Sequence, residues 1–195
     1  MALPVLVVVA LLMAIPVWIV RASRRGRPDD EESTGGLRRF LHYGSLFALL
    51  VAAASGLTNL LESALRGNRL AGGASELALG LSLTVVAVPA WVLVWRGVRG
   101  RLQRDPQERG SVAWVLYLAA ASTTSLVVAL ANATQAAAWA LGVADIDHSA
   151  IASAVAWGAA WGVHVRLARH PGVSPTSRFA GLVSLAGSAV GLVAL

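Results

Sequence analysis

The chain has no cysteine and no lysine, and only 13% of its 195 residues are charged. The absence of cysteine excludes disulfides, thiolate catalysis and cysteine-ligated metals. Hydrophobic residues make up 56% of the chain, which is more than a soluble core of this size can bury. A soluble helical bundle is the alternative, but most segments lack the polar face it would need. The composition therefore predicts a polytopic integral membrane protein.

Motifs of catalysis are also missing. The chain contains no GxxxxGK[ST] phosphate loop, no HExxH metal motif and no GxSxG nucleophile elbow. Aspartate and glutamate are absent from the centres of the apolar runs, which argues against a proton- or cation-coupled pump. No polar stretch is long enough to form a soluble domain. We therefore expect no enzymatic activity, no cofactor and no metal site.

Six apolar runs are each long enough, or nearly so, to cross a bilayer. They lie at about 2–20, 40–61, 77–95, 112–141, 150–165 and 179–195. The first could be a signal peptide, but its charges follow the run instead of preceding it, which favours a retained helix. Residues 21–37 have mixed charge with glycine, proline and serine, and are predicted to be a solvated linker. The remainder, 38–195, is predicted to be one all-α membrane domain.

The sixteen basic residues, all arginine, predict the orientation. Three segments, 21–39, 96–109 and 166–178, hold six, five and three arginines, and the alternate connections hold only Arg66 and Arg69. Because arginine-rich connections stay on the cytoplasmic side, both termini are predicted to lie outside a prokaryotic cell membrane. The arginines at 96, 99, 101 and 104 are predicted to form a basic inner loop that contacts anionic headgroups. Nucleic acid is not an expected partner, since no aromatic residues interleave with them.

Two helical hairpins after the first run look duplicated, which predicts parallel two-helix repeats. Arg39-Phe40 with Ser45-Leu46 matches Arg178-Phe179 with Ser184-Leu185, and Ala90-Trp91…Trp95-Arg96 matches Ala160-Trp161…Arg166. Trp and Arg at inner helix ends are also ordinary interfacial anchors, which is the alternative explanation.

These segments, with the connection Arg104-Asp105-Pro106-Gln107-Glu108-Arg109 leading to Tyr117, resemble a prokaryotic membrane family catalogued as domain of unknown function 5671. The resemblance runs from about Leu37 to the C-terminus. It implies a repeated helical membrane fold and brings no activity. The second copy departs from the pattern, with Ala159 in place of the proline at Pro89.

Intramembrane polar residues are the first candidates for function. Ser125, Asn132 and Gln135 lie on one stripe of the fourth run, and Asn59 on the second run is a possible partner. Such a stripe could line a polar path, and its alternative is hydrogen bonding between helices. His42 and His164 fall near inner helix ends and could ligate a haem or relay a proton, although interfacial histidines more often bond water or headgroups.

Other candidates concern packing and the outer side. Gly158-x-x-x-Gly162 and Gly187-x-x-x-Gly191 permit close contact between the fifth and sixth helices or with a partner helix. Acidic residues at outer ends, with one histidine, could bind a cation but are more simply solvated charges: Glu62, Glu76, Asp145, Asp147 and His148. Pro89 predicts a kink in the third helix.

The favoured function is a non-catalytic accessory or interaction subunit of a membrane complex, with a membrane protein partner or a second copy of the chain. The alternative is a small transporter or channel with a polar path along the fourth helix. An intramembrane enzyme ranks third, because no nucleophile is paired with a base.

Overall fold

The computed structural model describes residues 30–67 and 74–171, and every regular element in these two stretches is helical. The helices are α1 (Asp30–Leu65), α2 (Ala74–Arg104), α3 (Pro106–Arg109), α4 (Val112–Ala140) and α5 (His148–Arg169). The apolar runs predicted at 2–20 and 179–195 lie outside the described residues. Six spans and a repeat therefore remain predictions, whereas the all-α class is confirmed for the described part.

Two helices extend beyond their apolar runs. α1 begins at Asp30, so residues 30–37 are helical and not the linker that the sequence predicts.

The basic inner loop is a second correction, because α2 continues through it to Arg104. Arg96 and Arg99 lie on its closing turns, and Arg101 and Arg104 are in its last turn. Arginine is a good helix former, and its charge is favourable at a helix C-terminus. The positive charge therefore sits on a rigid helix end, and Pro89 lies inside the same continuous helix.

The connections that follow are set by side-chain caps. Asp105 caps α3 by accepting from the Gln107 backbone N–H at 2.8 Å, and Pro106 occupies the first helical position. Ser111 then caps α4 by accepting from Trp114 N–H. Asp147 caps α5 by accepting from the N–H groups of Ser149 and Ala150. These caps explain why α4 and α5 begin close to where the hydropathy predicts.

The four long helices pack with α1 in the middle, since α1 contacts α2, α4 and α5. α4 and α5 form the second closely packed pair. Every described arginine except Arg66 lies at one end of this bundle, hereafter the arginine-rich end. α1 and α4 start at that end, whereas α2 and α5 finish there.

Three of the described helices are long and apolar enough to cross a membrane: Arg38–Leu65, Leu77–Arg104 and Val112–Ala140. α5 is not among them. Only 11% of the most apolar stretch of α2 is buried, against 39% in α1 and 44% in α4. Large aliphatic side chains such as Val86 and Leu93 are exposed on α2. A helix with such a surface suits contact with lipid, which is consistent with a membrane protein.

Two glycines lie in tight contact between α1 and α2. A Cβ on Gly56 would lie 2.9 Å from the backbone nitrogen of Thr84, and a Cβ on Gly80 would lie 2.9 Å from the Cβ of Asn59. Both distances are shorter than van der Waals contact, so only glycine permits this crossing. Small residues allow close packing of helices in membranes in the same way.

Replacing glycine by alanine should have opposite effects on stability at the crossing and at an uncrowded helical position. Gly56→Ala should lower the stability of the protein by about 1–3 kcal/mol, because the added methyl must push the α2 backbone away. Gly44→Ala on the same helix should raise it by up to about 1 kcal/mol, because nothing lies within 4 Å of the new Cβ and alanine is the better helix former. Thermal unfolding in detergent micelles measures both, and shifts of the same sign would contradict the crossing.

Candidate functional site

A buried glutamate at the arginine-rich end binds two residues of α1. Glu108 is 7% exposed although it belongs to the short connecting helix α3. The Tyr43 hydroxyl donates to its Oε1 at 2.9 Å, and Arg39 Nε lies 2.9 Å from its Oε2. Both carboxylate oxygens therefore have a partner, and Arg39 keeps about half of its side chain in solvent. The connection between the two hairpins is thus held to the central helix.

The short helix α3 holds Glu108 in this position. Its start is set by the Asp105 cap, and its end is closed by Gly110 N–H donating to Gln107 O at 3.1 Å. Ser111 N–H donates to Glu108 O at the same distance before α4 begins. A four-residue helix capped at both ends leaves its glutamate little freedom.

A second polar pair joins α4 to α5. The Tyr117 hydroxyl lies 2.9 Å from His164 Nε2, and His164 Nδ1 lies 2.7 Å from the Ala160 carbonyl oxygen. His164 is fully buried and Tyr117 is 3% exposed. Because a carbonyl oxygen can only accept, Nδ1 carries the hydrogen, and in the neutral ring Nε2 accepts from Tyr117. Both nitrogens of the imidazole are therefore occupied.

Tyr117 and His164 are two of five aromatic rings that form a closed circuit of ring contacts. Neighbouring ring centroids lie between 5.5 and 6.4 Å apart, in the order Trp91, Trp95, Trp114, Tyr117, His164 and back to Trp91. Tyr43 stands beside it, 5.6 Å from Trp114 and 6.1 Å from Tyr117. These distances are favourable for ring pairs. We call Tyr43, Glu108 and the five rings the aromatic site; it joins all four long helices.

The predicted polar stripe is not gathered into one place among the described residues. Ser125 is fully buried, and its hydroxyl has no hydrogen-bond partner in the described part of the chain. Asn132 is half-buried and donates to Val128 O of its own helix at 2.8 Å, while Gln135 is exposed. Asn59 lies instead against Gly80 of α2. The stripe as a path stays a prediction.

The two histidines considered for haem have different surroundings. His164 is engaged through both nitrogens, so a metal at Nε2 would have to displace Tyr117. His42 is half-buried and its ring contacts Tyr43 edge-on, with 6.5 Å between centroids.

The packing glycines are only partly described. A Cβ on Gly158 or on Gly162 would meet nothing within 4 Å in the described part of the chain. Gly187 and Gly191 lie outside the described residues. This side of α5 is therefore not covered by α1, α2 or α4. The tightly packed glycines are instead Gly56 and Gly80, which the sequence did not predict.

Two of the acidic residues considered for a cation have structural roles. Glu62 in the last turn of α1 pairs with Arg66, the residue that follows α1, and Asp147 caps α5. Asp145 is exposed and His148 is half-buried.

Sequence analysis overlooked Glu108 as a buried residue. It was noted only as part of a charged connection, because a glutamate between arginines is typical of a solvated loop. The Asp105-Pro106 pair, a cap followed by proline at the first helical position, is the signal that could have predicted α3.

Comparison with known proteins identifies the family. The family model described as Domain of unknown function (DUF5671) matches residues 5–75 and 66–163. The chain belongs to this family. The matched stretches include every residue of the aromatic site except His164, and they begin earlier and end earlier than the predicted extent from Leu37 to the C-terminus. No curated protein matches the chain, and neither does any solved structure.

Removing the charge of Glu108 should lower the stability of the protein more than removing a charge from an exposed ion pair. Glu108→Gln should lower the stability by about 1–3 kcal/mol, because it replaces the buried carboxylate that accepts from Tyr43 and Arg39. Glu62→Gln, which disturbs an i,i+4 pair on α1, should change it by about 0.5 kcal/mol or less. Thermal unfolding in micelles measures the difference, and equal effects would show that the Glu108 contacts contribute no more than a surface pair.

Proposed function

We propose that this protein is a non-catalytic accessory subunit of a prokaryotic plasma-membrane complex. In this proposal the arginine-rich end faces the cytoplasm, where it meets anionic headgroups, and both termini lie outside. The observation that carries the proposal is the open side of α5. Among the described residues, nothing lies within 4 Å of a Cβ position on Gly158 or Gly162, and Val155 beside them is 57% exposed. A side of this kind suits close packing with a further membrane helix.

The chemistry of the aromatic site supports an assembly role over a catalytic one. The buried groups of the site that could act as acid or base bond one another: Tyr43 donates to Glu108, which also pairs with Arg39, and Tyr117 bonds His164, which also bonds the Ala160 carbonyl oxygen. General catalysis needs a group within reach of a substrate proton. Paired groups of this kind instead hold helices together and keep the open side of α5 in a fixed position.

The proposal is tested by capturing the complex from native membranes. Tagged chain purified in native lipid discs should carry a stoichiometric membrane protein partner, identified by mass spectrometry. Gly158→Ile combined with Gly162→Ile should lower the partner-to-chain ratio at least about tenfold, a loss of about 1.4 kcal/mol in binding free energy. Bulky side chains there would hold a partner helix away from the α5 backbone.

Gly97→Ile combined with Gly100→Ile is the matched control, because a Cβ on either of these α2 glycines also meets nothing within 4 Å in residues 30–67 and 74–171. The control should keep the partner. If the α5 variant keeps its partner, this interface is wrong. If it loses thermal stability instead, the open side packs within the chain. Recovery of the chain only with copies of itself would replace the accessory role with a homo-oligomer.

A small transporter is the second candidate, and one observation favours it. α4 buries the hydroxyl oxygens of Ser122, Thr124 and Ser125 with no hydrogen-bond partner in the described part of the chain. Unpaired hydroxyls in an apolar setting could bind water or a polar solute.

Flux measurements separate the two functions. We expect lipid vesicles containing the chain to release trapped K⁺, Cl⁻ and glycerol no faster than vesicles without protein. We also expect Asn132→Leu to change nothing, because that amide bonds its own helix. Faster release by the wild-type chain that Asn132→Leu abolishes, and Gly97→Leu does not, would establish the transporter.

A further inference from the structure

The loop between α4 and α5 exposes large apolar side chains at the end of the bundle opposite the arginine-rich end. It spans residues 141–147, hereafter the tip loop. Leu141 is 78% exposed, Val143 79% and Ile146 47%. Trp139, in the last turn of α4, is 40% exposed. Connections normally carry polar residues because they meet water, so this composition calls for a physical explanation.

The tip loop is held in place at both ends. Gly142 has a positive φ of 73°, Gly142 N–H donates to Trp139 O, and Val143 N–H donates to Ala138 O, each at 2.9 Å. This is a Schellman motif, in which the residue at the position of Val143 usually packs back onto the helix. Here Val143 points away from that contact and stays exposed. The Asp147 cap fixes the other end of the loop.

The length of α4 places the tip loop at a membrane surface. With 29 residues the helix is about 44 Å long, whereas the hydrocarbon core is about 30 Å thick. Ser111, the N-cap of α4, lies two residues after Arg109 of the arginine-rich end. If that end lies at one headgroup layer, the last turn of α4 reaches the opposite one. Tryptophan is enriched at this depth, which suits Trp139.

We propose that the tip loop inserts Leu141, Val143 and Ile146 into the boundary between the headgroups and the acyl chains of that opposite leaflet. The proposal requires that α4 crosses a bilayer, and it is independent of any protein partner. The attraction is hydrophobic, because no arginine occurs between Arg109 and Arg166 and the loop carries Asp145 and Asp147. Apolar insertion anchors an element at the interface without attraction to anionic lipid.

The absence of cysteine makes the test direct, since a single introduced cysteine is the only thiol. Val143→Cys and Asp145→Cys are prepared separately in the full chain, in vesicles of phosphatidylcholine and phosphatidylglycerol. A membrane-impermeant maleimide should react at least about tenfold more slowly with the cysteine at 143 than with that at 145, because the apolar position sits in the acyl boundary. The two variants share loop and orientation, so their rate ratio needs no further correction.

A second measurement reports depth. A fluorophore on the cysteine at 143 should be quenched by lipids brominated near the headgroup end of the acyl chain, and much less by a water-soluble quencher. The rate ratio should be the same at low and high salt. Melting temperatures equal to that of the wild-type chain confirm that both variants fold.

Two outcomes would overturn the proposal. Equal maleimide rates at 143 and 145 in lipid vesicles would place the loop in water. Slow reaction at 143 in native membranes together with fast reaction in pure lipid vesicles would assign the exposed side chains to a protein partner.

Discussion

The binding of Glu108 to Tyr43 and Arg39 connects the two halves of the described structure. One half is α1 and α2, which meet at a glycine crossing, and the other is α4 and α5, which pack against each other. The connection from α2 to α4 contains only the four-residue helix α3. Besides its caps, that helix is tied by Arg109 Nη1, which donates to the Pro171 carbonyl oxygen at 3.2 Å, and by the two bonds of the Glu108 carboxylate. Because both oxygens bind residues of α1, α4 starts beside Tyr43 and its rings can join those of α2 and α5.

Polar side chains bond different partners at different depths along the bundle axis. Near the arginine-rich end, hydrogen bonds run between helices, as in Tyr43 with Glu108 and Tyr117 with His164. Farther along, several polar side chains bond the backbone of their own helix, as Thr58, Ser63, Ser82 and Asn132 do. An intrahelical bond satisfies a polar group in hydrocarbon without requiring a neighbour. Specific pairing of helices therefore concentrates at one end, and contact elsewhere depends on shape and small residues.

The sequence predicted those parts of the fold that depend on local patterns. α4 was predicted at about 112–141 and observed as Val112–Ala140, because hydropathy and the Ser111 cap agree. The end of α2 was missed because hydropathy falls at Arg96 while the helix continues in charged residues. Helix boundaries depend on caps and helix-forming residues, whereas the edge of an apolar run depends on hydropathy. Hydropathy alone therefore does not predict where a helix ends.

The aromatic site was predicted only in fragments. Trp91 was noted in the repeat, Tyr117 in the family resemblance and His164 as a possible haem ligand. Nothing local indicates that Tyr43 binds a glutamate 65 residues away. The crossing at Gly56 and Gly80 was missed for a related reason. Glycines are frequent in this chain, and only three-dimensional proximity distinguishes Gly56 from Gly44, which has open space beside it.

The sequence separation of the Glu108 pair has a consequence for synthesis. α1 is made and can enter the membrane well before Glu108 leaves the ribosome, so Tyr43 and Arg39 must first exist without their carboxylate. Their place at the arginine-rich end makes this interval tolerable, because water and phosphate groups at the bilayer surface can bond them meanwhile. The same pair at mid-membrane would leave α1 with unsatisfied polar groups during its insertion. For helices that cross a bilayer, this position of the site allows each to enter before its permanent partner has been translated.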